Sequence, residues 1–357
     1  MAVFRYSNPP VIHWGAGTLA RLGDEVARLK AERVAIVTTR SLLTATSVVS
    51  SRELIAQLRE AMGSATSPVT VQIAQHAPLA DVEAAINRAA AAGVDGVVSF
   101  GGGSPIDAAK MLAVRVADRL GRADRGLPHV AVPTTLSVAE LAGGAGFTDA
   151  TGTKGGVRDP RLLPDAVIYD AELVLNTPMQ LWLSTGIRAL DHAVEGFLAE
   201  GDHPFSDAMA LEAVRRLFRT LPQAKAQPND LAVRTANQLA AWFSFTLPGA
   251  SASGLSHVMG KQIGARHRIP HGVTSCLLLP HVMRYLAPSH PEQMKDLATA
   301  TGGEDAAASV QSLIGELGLP KHIAEFGIGA TELRQAASEL AGKYPEADLL
   351  KIYTAAL

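Results

Sequence analysis

The sequence predicts an α/β domain built on a parallel sheet, followed by an all-helical domain. Three observations carry this. Strand-like and helix-like segments alternate through the first half. After about Leu175 helical periodicity continues while strand-like runs nearly vanish. The length, 357 residues, exceeds one ordinary core and suits two domains, 1–175 and 176–357.

The elements follow in order. "RVAIVTT" (Arg33 to Thr39) is a short β-branched run and predicts a buried strand. "SRELIAQLREAMGS" is amphipathic, with Leu54, Leu58 and Met62 on one face and Gly63 as its stop. "VTVQIAQ" predicts a second strand and "LADVEAAINRAAAAG" a helix ending at Gly93. "DGVVSF" predicts a third strand running into "GGGSPIDAAKMLAVRVADRL". "HVAVPTT" and "DAVIYD" predict a fourth and a fifth. Such alternation implies right-handed crossovers and a parallel sheet. The second half reads as helices: "MQLWLSTGIRALDHAVEGFLA", "PFSDAMALEAVRRLFRTL", "DLAVRTANQLAAWFSFTL", "GLSHVMGKQIGARH", "TSCLLLPHVMRYLA", "AAASVQSLIGELG", "ATELRQAASELAG" and "EADLLKIYTAAL". A cleft between the two domains is the expected place for a ligand.

Composition removes several classes of function. Net charge is −2, so no strong field draws the chain to nucleic acid or an anionic membrane. The single cysteine, Cys276, forbids a disulfide framework and predicts a reducing, cytoplasmic setting. Its apolar neighbours predict a buried structural thiol. "MAVFRYSNPPVIHWGAG" lacks the pattern of a signal peptide, and no run approaches a membrane span.

The first chemical signal is "VVSFGGGSPIDAAK". Gly101, Gly102 and Gly103 allow backbone angles closed to other residues and a close approach to a ligand. Ser104 and Pro105 suit the N-cap and first turn of a helix. The free N–H groups there make an anion site that fits a pyrophosphate; a tight turn without a ligand is the plainer alternative. "AVPTTLS" adds Thr134, Thr135 and Ser137 in a second polar turn. His192, His257 and His271 lie on separate helical segments, and neutral imidazoles converging this way can bind a divalent ion.

"GGGSPIDAAK", "VPTT", "RDPRLLPDAVIYD", "TGIRALDHAVEG", "PFSDAMALEAVRRL", "GLSHVMGKQIGARHRIPHGVTSCLLLPHVMRY" and "LLKIYTAAL" occur in the order seen in the iron-containing, group III alcohol dehydrogenases. The chain resembles that family over nearly its whole length, and most resembles the maleylacetate reductase-like branch. The resemblance implies a dehydroquinate synthase-like architecture, hydride transfer between NAD or NADP and a carbonyl or alcohol in the cleft, a homodimer, and Fe or Zn. It carries the glycine loop onto Gly101, Gly102, Gly103 and Ser104 with Asp107 behind them. It carries the threonine turn onto Thr134 and Thr135, and a lysine near the cofactor onto Lys154. Three of four metal ligands fall on His192, His257 and His271. The fourth, an aspartate, falls on Arg188, and a further active-site histidine falls on Lys261. The acidic residue that holds a ribose 2′-hydroxyl falls on Thr39, with Arg40 next, which favours acceptance of NADPH.

These departures change the expected chemistry. Arg188 and His192 are four residues apart and share a helix face. Asp191 points about 100° from His192 and so is a poor substitute for the lost ligand. A guanidinium cannot ligate a metal, and two like charges 4 Å apart cost roughly 4 kcal/mol at an effective dielectric near 20. Fixed Arg and Lys donors can instead steady the oxygen of a carbonyl as hydride arrives. The expected substrate is therefore a small anion such as an oxo-acid, with Arg188 and Lys261 in place of the metal. Arg188 turning away to pair with Glu195 or another acid is the alternative. Three other readings compete: an alcohol dehydrogenase with a three-histidine metal site, a dehydroquinate synthase-like lyase, and a catalytically dead binding protein.

Overall fold

A computed structural model of the protein describes residues 8–122, 124–245, 254–342 and 344–357. Residues 246 and 247, predicted to close the helix "DLAVRTANQLAAWFSFTL", lie outside these, as does the opening heptapeptide. The chain divides into two compact units. Of the described residues, one takes in 8–178 together with Asn229–Gln238; the other comprises Met179–Pro228 and those from Leu239 to Leu357.

The first unit is built on β1 (Ile12–Trp14), β2 (Arg33–Thr38), β3 (Thr66–Gln72), β4 (Gly96–Gly101), β5 (His129–Pro133) and β8 (Ala166–Tyr169). They form a six-stranded sheet in the order β1-β8-β5-β4-β2-β3, and every pairing is parallel. Alternation along the strands sorts the apolar residues onto two faces. Val34, Ile36, Val98, Phe100, Val130 and Val132 face α1 (Leu22–Arg28) and α3 (Leu54–Ala61). Ala35, Val37, Val69, Val71 and Val97 face α4 (Leu79–Ala91) and α5 (Gly103–Arg119). Helices cover both faces, which is why β4 is buried along its whole length.

Two pieces of this unit escape the strand periodicity. β1 is only three residues long and sits at the sheet edge. An antiparallel ribbon, β6 (Gly144–Thr148) with β7 (Lys154–Arg158), branches off between β5 and β8. Its glycines have a packing cause: a Cβ on Gly155 would lie 2.5 Å from the ring of Phe147, its partner across the ribbon.

The second unit holds no strand among its described residues. It contains α6 (Met179–Phe197), α7 (Pro204–Ala226), α9 (Leu255–His267), α10 (His271–Leu286) and four further helices from α11 (Pro291–Thr301) to α14 (Glu346–Ala355). α8 (Leu231–Phe243) is divided between the units. α6 is buried on almost every face, as its apolar composition requires. α10 lies hard against it at Gly272, where a Cβ would come within 2.7 Å of the Ser184 backbone.

Candidate active site

In the first unit the register Gly101↔Pro133 sets the glycine loop beside the threonine turn. Thr134 N donates to Gly101 O at 2.9 Å. Gly101 is the one loop glycine with a left-handed backbone, φ 145°. Gly102 is needed for space, since its added Cβ would meet Thr135 Cγ2 at 3.0 Å. The helix start differs from the expected one. Gly102, not Ser104, is the N-cap of α5, and no side chain caps it. The first-turn N–H groups of a helix have no intrahelical partner, so this start suits an anion. Ser104 Oγ accepts from His76 N at 2.9 Å instead.

The remaining predicted cofactor residues of this unit are placed as follows. Asp107 is partly buried and spends one oxygen on Gly146 N at 3.0 Å, tying α5 to the ribbon. Lys154 opens β7 and its ammonium lies 3.0 Å from His76 Nδ1. Thr39 follows β2 as the N-cap of α2 (Arg40–Leu43), with its hydroxyl 3.1 Å from Ser41 Oγ.

In the second unit Arg188, Asp191, His192 and Glu195 all come from α6; the first three are buried and Glu195 is half-buried. Glu195 has a structural duty that sequence reasoning missed. It accepts from the backbone N–H groups of Gly254 (2.9 Å), Ser256 (2.6 Å) and His257 (3.3 Å). It thereby caps α9, whose own N-cap is the side-chain-free Gly254. This cap fixes where His257 sits. Burial pushes the Glu195 carboxyl up to about 7, against the pull of Arg188 and those N–H groups.

His257 Nδ1 lies 2.5 Å from Glu195 Oε2 but outside hydrogen-bonding direction. Its ring centroid is 4.4 Å from that of His192, and Phe245 meets His192 edge-on at 4.9 Å. Burial, then His257, Arg188 and Lys261, pull His192 well below the usual imidazole range. Burial and Arg188 pull His257 down to about 3. Both rings are therefore neutral at working pH. His192 Nδ1 and His257 Nε2 are buried without a hydrogen-bond partner among the described residues, which marks a place for a ligand's polar atom.

Arg188 turns inward. Its Nη1 donates to Ser275 Oγ at 3.3 Å and lies 3.9 Å from Asp191 Oδ2. Burial lowers the guanidinium from its ordinary value, while Asp191 and Glu195 hold it up. The geometric objection to Asp191 fails. Spacing i,i+3 sets it beside Arg188, and its Oδ2 comes within 3.5 Å of His257 Nδ1. That same oxygen accepts from Ser275 Oγ (2.6 Å) and Ser256 Oγ (3.0 Å). Lys261 is exposed on α9, one turn beyond His257, and its charge reaches both imidazoles. His271 is the first residue of α10 and is half-buried.

The ligand atoms that gather within 4.8 Å of one another belong to Asp191, Glu195 and His257, not to the three histidines. Within this group Asp191 Oδ1 and His257 Nε2 are buried with no hydrogen-bond partner among the described residues, which suits an ion, while its other contacts compete with one. Glu195 is spent on three backbone N–H groups, Asp191 Oδ2 on two hydroxyls, and a guanidinium stands 3.9 Å away. Cys276, one residue past Ser275, is buried, and burial raises its thiol far above the usual range, so it is no nucleophile.

A parallel sheet covered by helices on both faces, with an uncapped glycine-loop helix start, followed by a helical unit, is an architecture found among nucleotide-dependent oxidoreductases. The chain belongs to the iron-containing alcohol dehydrogenase family, in its maleylacetate reductase-like branch: residues 9–171 match "Iron-containing alcohol dehydrogenase" and residues 182–346 match "Fe-containing alcohol dehydrogenase family, C-terminal". It is 30% identical over 346 residues to maleylacetate reductase of Rhizobium sp. (strain MTP-10005), covering 97% of this chain and 93% of that one. It is 32% identical over 339 residues to the maleylacetate reductase of Sphingobium indicum, covering 94% and 90%. The crystal structure of maleylacetate reductase from Agrobacterium tumefaciens superposes with a TM-score of 0.87 at 28% identity, covering 100% of this chain and 99% of that one. The protein is thus an NAD(P)-dependent oxidoreductase acting on CH–OH groups. No helix among the described residues is long and apolar enough to cross a membrane.

Proposed function

We propose that this enzyme reduces the carbonyl of a small anionic oxo-acid, using NAD(P)H and no resident metal. The observation that carries the reading is the buried Arg188 guanidinium, set on α6 with His192 and across from His257. Arg keeps its charge at any working pH, and its described hydrogen bonding is limited to Ser275. It can therefore bind a carboxylate or steady the oxygen that becomes an alkoxide. Lys261 adds a second positive charge felt at the same imidazoles. Asp191 supplies the counter-charge that makes a buried guanidinium tolerable. His192 and His257 act as neutral hydrogen-bonding groups, with His271 as a further wall of the site. The names of the relatives above, reductases of maleylacetate, support an oxo-acid.

The dinucleotide, when bound, supplies the hydride. Gly101, Gly102, Gly103 and Ser104 at the start of α5 would hold its pyrophosphate, with Thr134, Thr135, Asp107 and Lys154 around it. Thr39 in place of an acid leaves room for a 2′-phosphate. The same reading assigns cofactor work to 1–175 and substrate work to 176–357, and expects a cytoplasmic homodimer.

The test is steady-state oxidation of NADH and NADPH with a panel of aldehydes and oxo-acids, alongside elemental analysis of the purified protein. Turnover of an oxo-acid, unaffected by chelator and at metal contents far below one per chain, is the expected result. Stoichiometric metal with activity abolished by chelator would overturn metal independence. Turnover confined to uncharged aldehydes would overturn the anionic substrate.

A further inference from the structure

The turn after β3 puts two consecutive non-glycine residues in left-handed backbone, His76 at φ 69° and Ala77 at φ 46°. L-residues avoid that region, and such a pair persists only where its surroundings hold it. Here the holding bonds come from two directions. His76 N donates to Ser104 Oγ in the first turn of α5 at 2.9 Å. The loop end of the β6–β7 ribbon clamps the turn from the other side. Thr148 Oγ1 donates to His76 O at 3.1 Å, and Thr148 N donates to Ala77 O at 3.2 Å. Thr148 pairs with Lys154 in the ribbon register, so the clamp delivers Lys154 to the imidazole, Nζ to Nδ1 3.0 Å. The strained turn therefore joins the glycine-loop helix and Lys154 through one residue.

We propose that His76 is a positioning residue of the dinucleotide site: its imidazole accepts a hydrogen bond from Lys154 and holds that ammonium beside the glycine loop for a phosphate or ribose oxygen of the cofactor. The proposal rests on the reading that places the dinucleotide at this loop with Lys154 against it. The half-buried ring is kept from protonating first by desolvation and then by the Lys154 charge, so Nδ1 retains the lone pair that the bond requires. An ammonium on a four-carbon stem has many rotamers, and fixing it in advance removes an ordering cost from binding.

The test is fluorescence titration of NADH and of NADPH into the parent and four variants. Lys154→Ala is expected to raise Kd about tenfold, equivalent to ~1.4 kcal/mol. His76→Gly suits the left-handed backbone, so it folds without strain and isolates the side chain. It is expected to raise Kd by a comparable factor while leaving the thermal midpoint unchanged or higher. His76→Gly/Lys154→Ala should bind no worse than Lys154→Ala alone, because the imidazole acts only through the lysine. His76→Asn tolerates the turn and offers an amide oxygen, so it should recover part of the affinity. Parent-like binding by His76→Gly would overturn the proposal, as would losses that add in full in the double variant. Parent-like binding by Lys154→Ala would show a different failure: the dinucleotide is not held by Lys154 at all, and the proposal falls with that placement.

Discussion

Lys110 in the sheet unit and Arg188 in the helical unit are both cations taken out of water, yet they are held in opposite ways. Lys110 is fully buried, and its ammonium donates to the carbonyls of Ala139 (2.5 Å), Ala142 (2.7 Å) and Gly144 (2.9 Å). An ammonium has three donors, and three acceptors meet them. Arg188 has five donors, and the one described hydrogen bond is the 3.3 Å contact with Ser275. A buried charge costs several kcal/mol unless its surroundings compensate. A saturated one fastens chain segments together; an undersaturated one is retained for something that arrives later. The first is architecture, and the second is the group to which the proposed function assigns binding.

Arg188→Ala is the strongest way to break that contrast. Loss of an electrostatic donor to a developing oxyanion costs about 100- to 1,000-fold. A drop of that size is expected in kcat/KM for an oxo-acid in the folded variant, alongside a fall in the urea midpoint as buried Asp191 loses its counter-charge. Arg188→Lys should recover only a small part, because a point charge lacks the planar fork. Full activity in Arg188→Ala would show that the guanidinium is merely packed. Lys110→Met is the mirror experiment. It removes the ammonium shared by three carbonyls, of which only Ala139 O keeps a described second donor, Ala142 N, and should cost about 3 kcal/mol of stability, read from the urea midpoint at unchanged slope. A folded Lys110→Met of parental stability would show that saturation was not the source of its grip.

Glu140 sharpens the comparison in the pH dimension. It is buried, accepts from Tyr169 Oη at 2.7 Å, and is pushed up to about 7 by burial against the opposing pull of Tyr169 and Lys110. The folded value is raised above the ordinary 4.5, so the folded state binds the proton more tightly. The stability this contributes is complete below about pH 4.5 and is lost as pH rises through about 7, by up to about 3 kcal/mol. The parent's urea midpoint should therefore fall across that window. Glu140→Gln should flatten that part of the slope, and an unchanged slope would exclude Glu140 as its source.

What the sequence made legible follows the range of the interactions involved. β4, β5 and the faces of α4 and α5 were readable because burial on the sheet writes itself into continuous apolar runs and i,i+3/i+4 spacing. The ribbon was not, because "GAGFT" and "KGGVR" owe their glycines to Phe147 packing across the pair rather than to a local pattern. The start of α5 was misread at Ser104, since the hydroxyl that looks like a cap serves His76 in a distant turn. In the helical unit the helix-face argument set Arg188 and His192 on one helix, α6. It set Asp191 aside as a poor substitute ligand, although spacing i,i+3 puts it beside Arg188, and it left out Ser275 and the α9 cap. Those depend on how three separate helices meet, which no single-helix wheel contains.

The Glu195 cap has a consequence for how this site can change. The residue that fastens α9, and with it His257, is Glu195, two turns along α6 from Arg188. Arg188 itself anchors almost nothing. Scaffold and chemistry are thus written at separate addresses on one helix. A substitution at the chemical address can exchange a guanidinium for a carboxylate, and so invert the sign of charge offered to a ligand, while the frame around it stays standing.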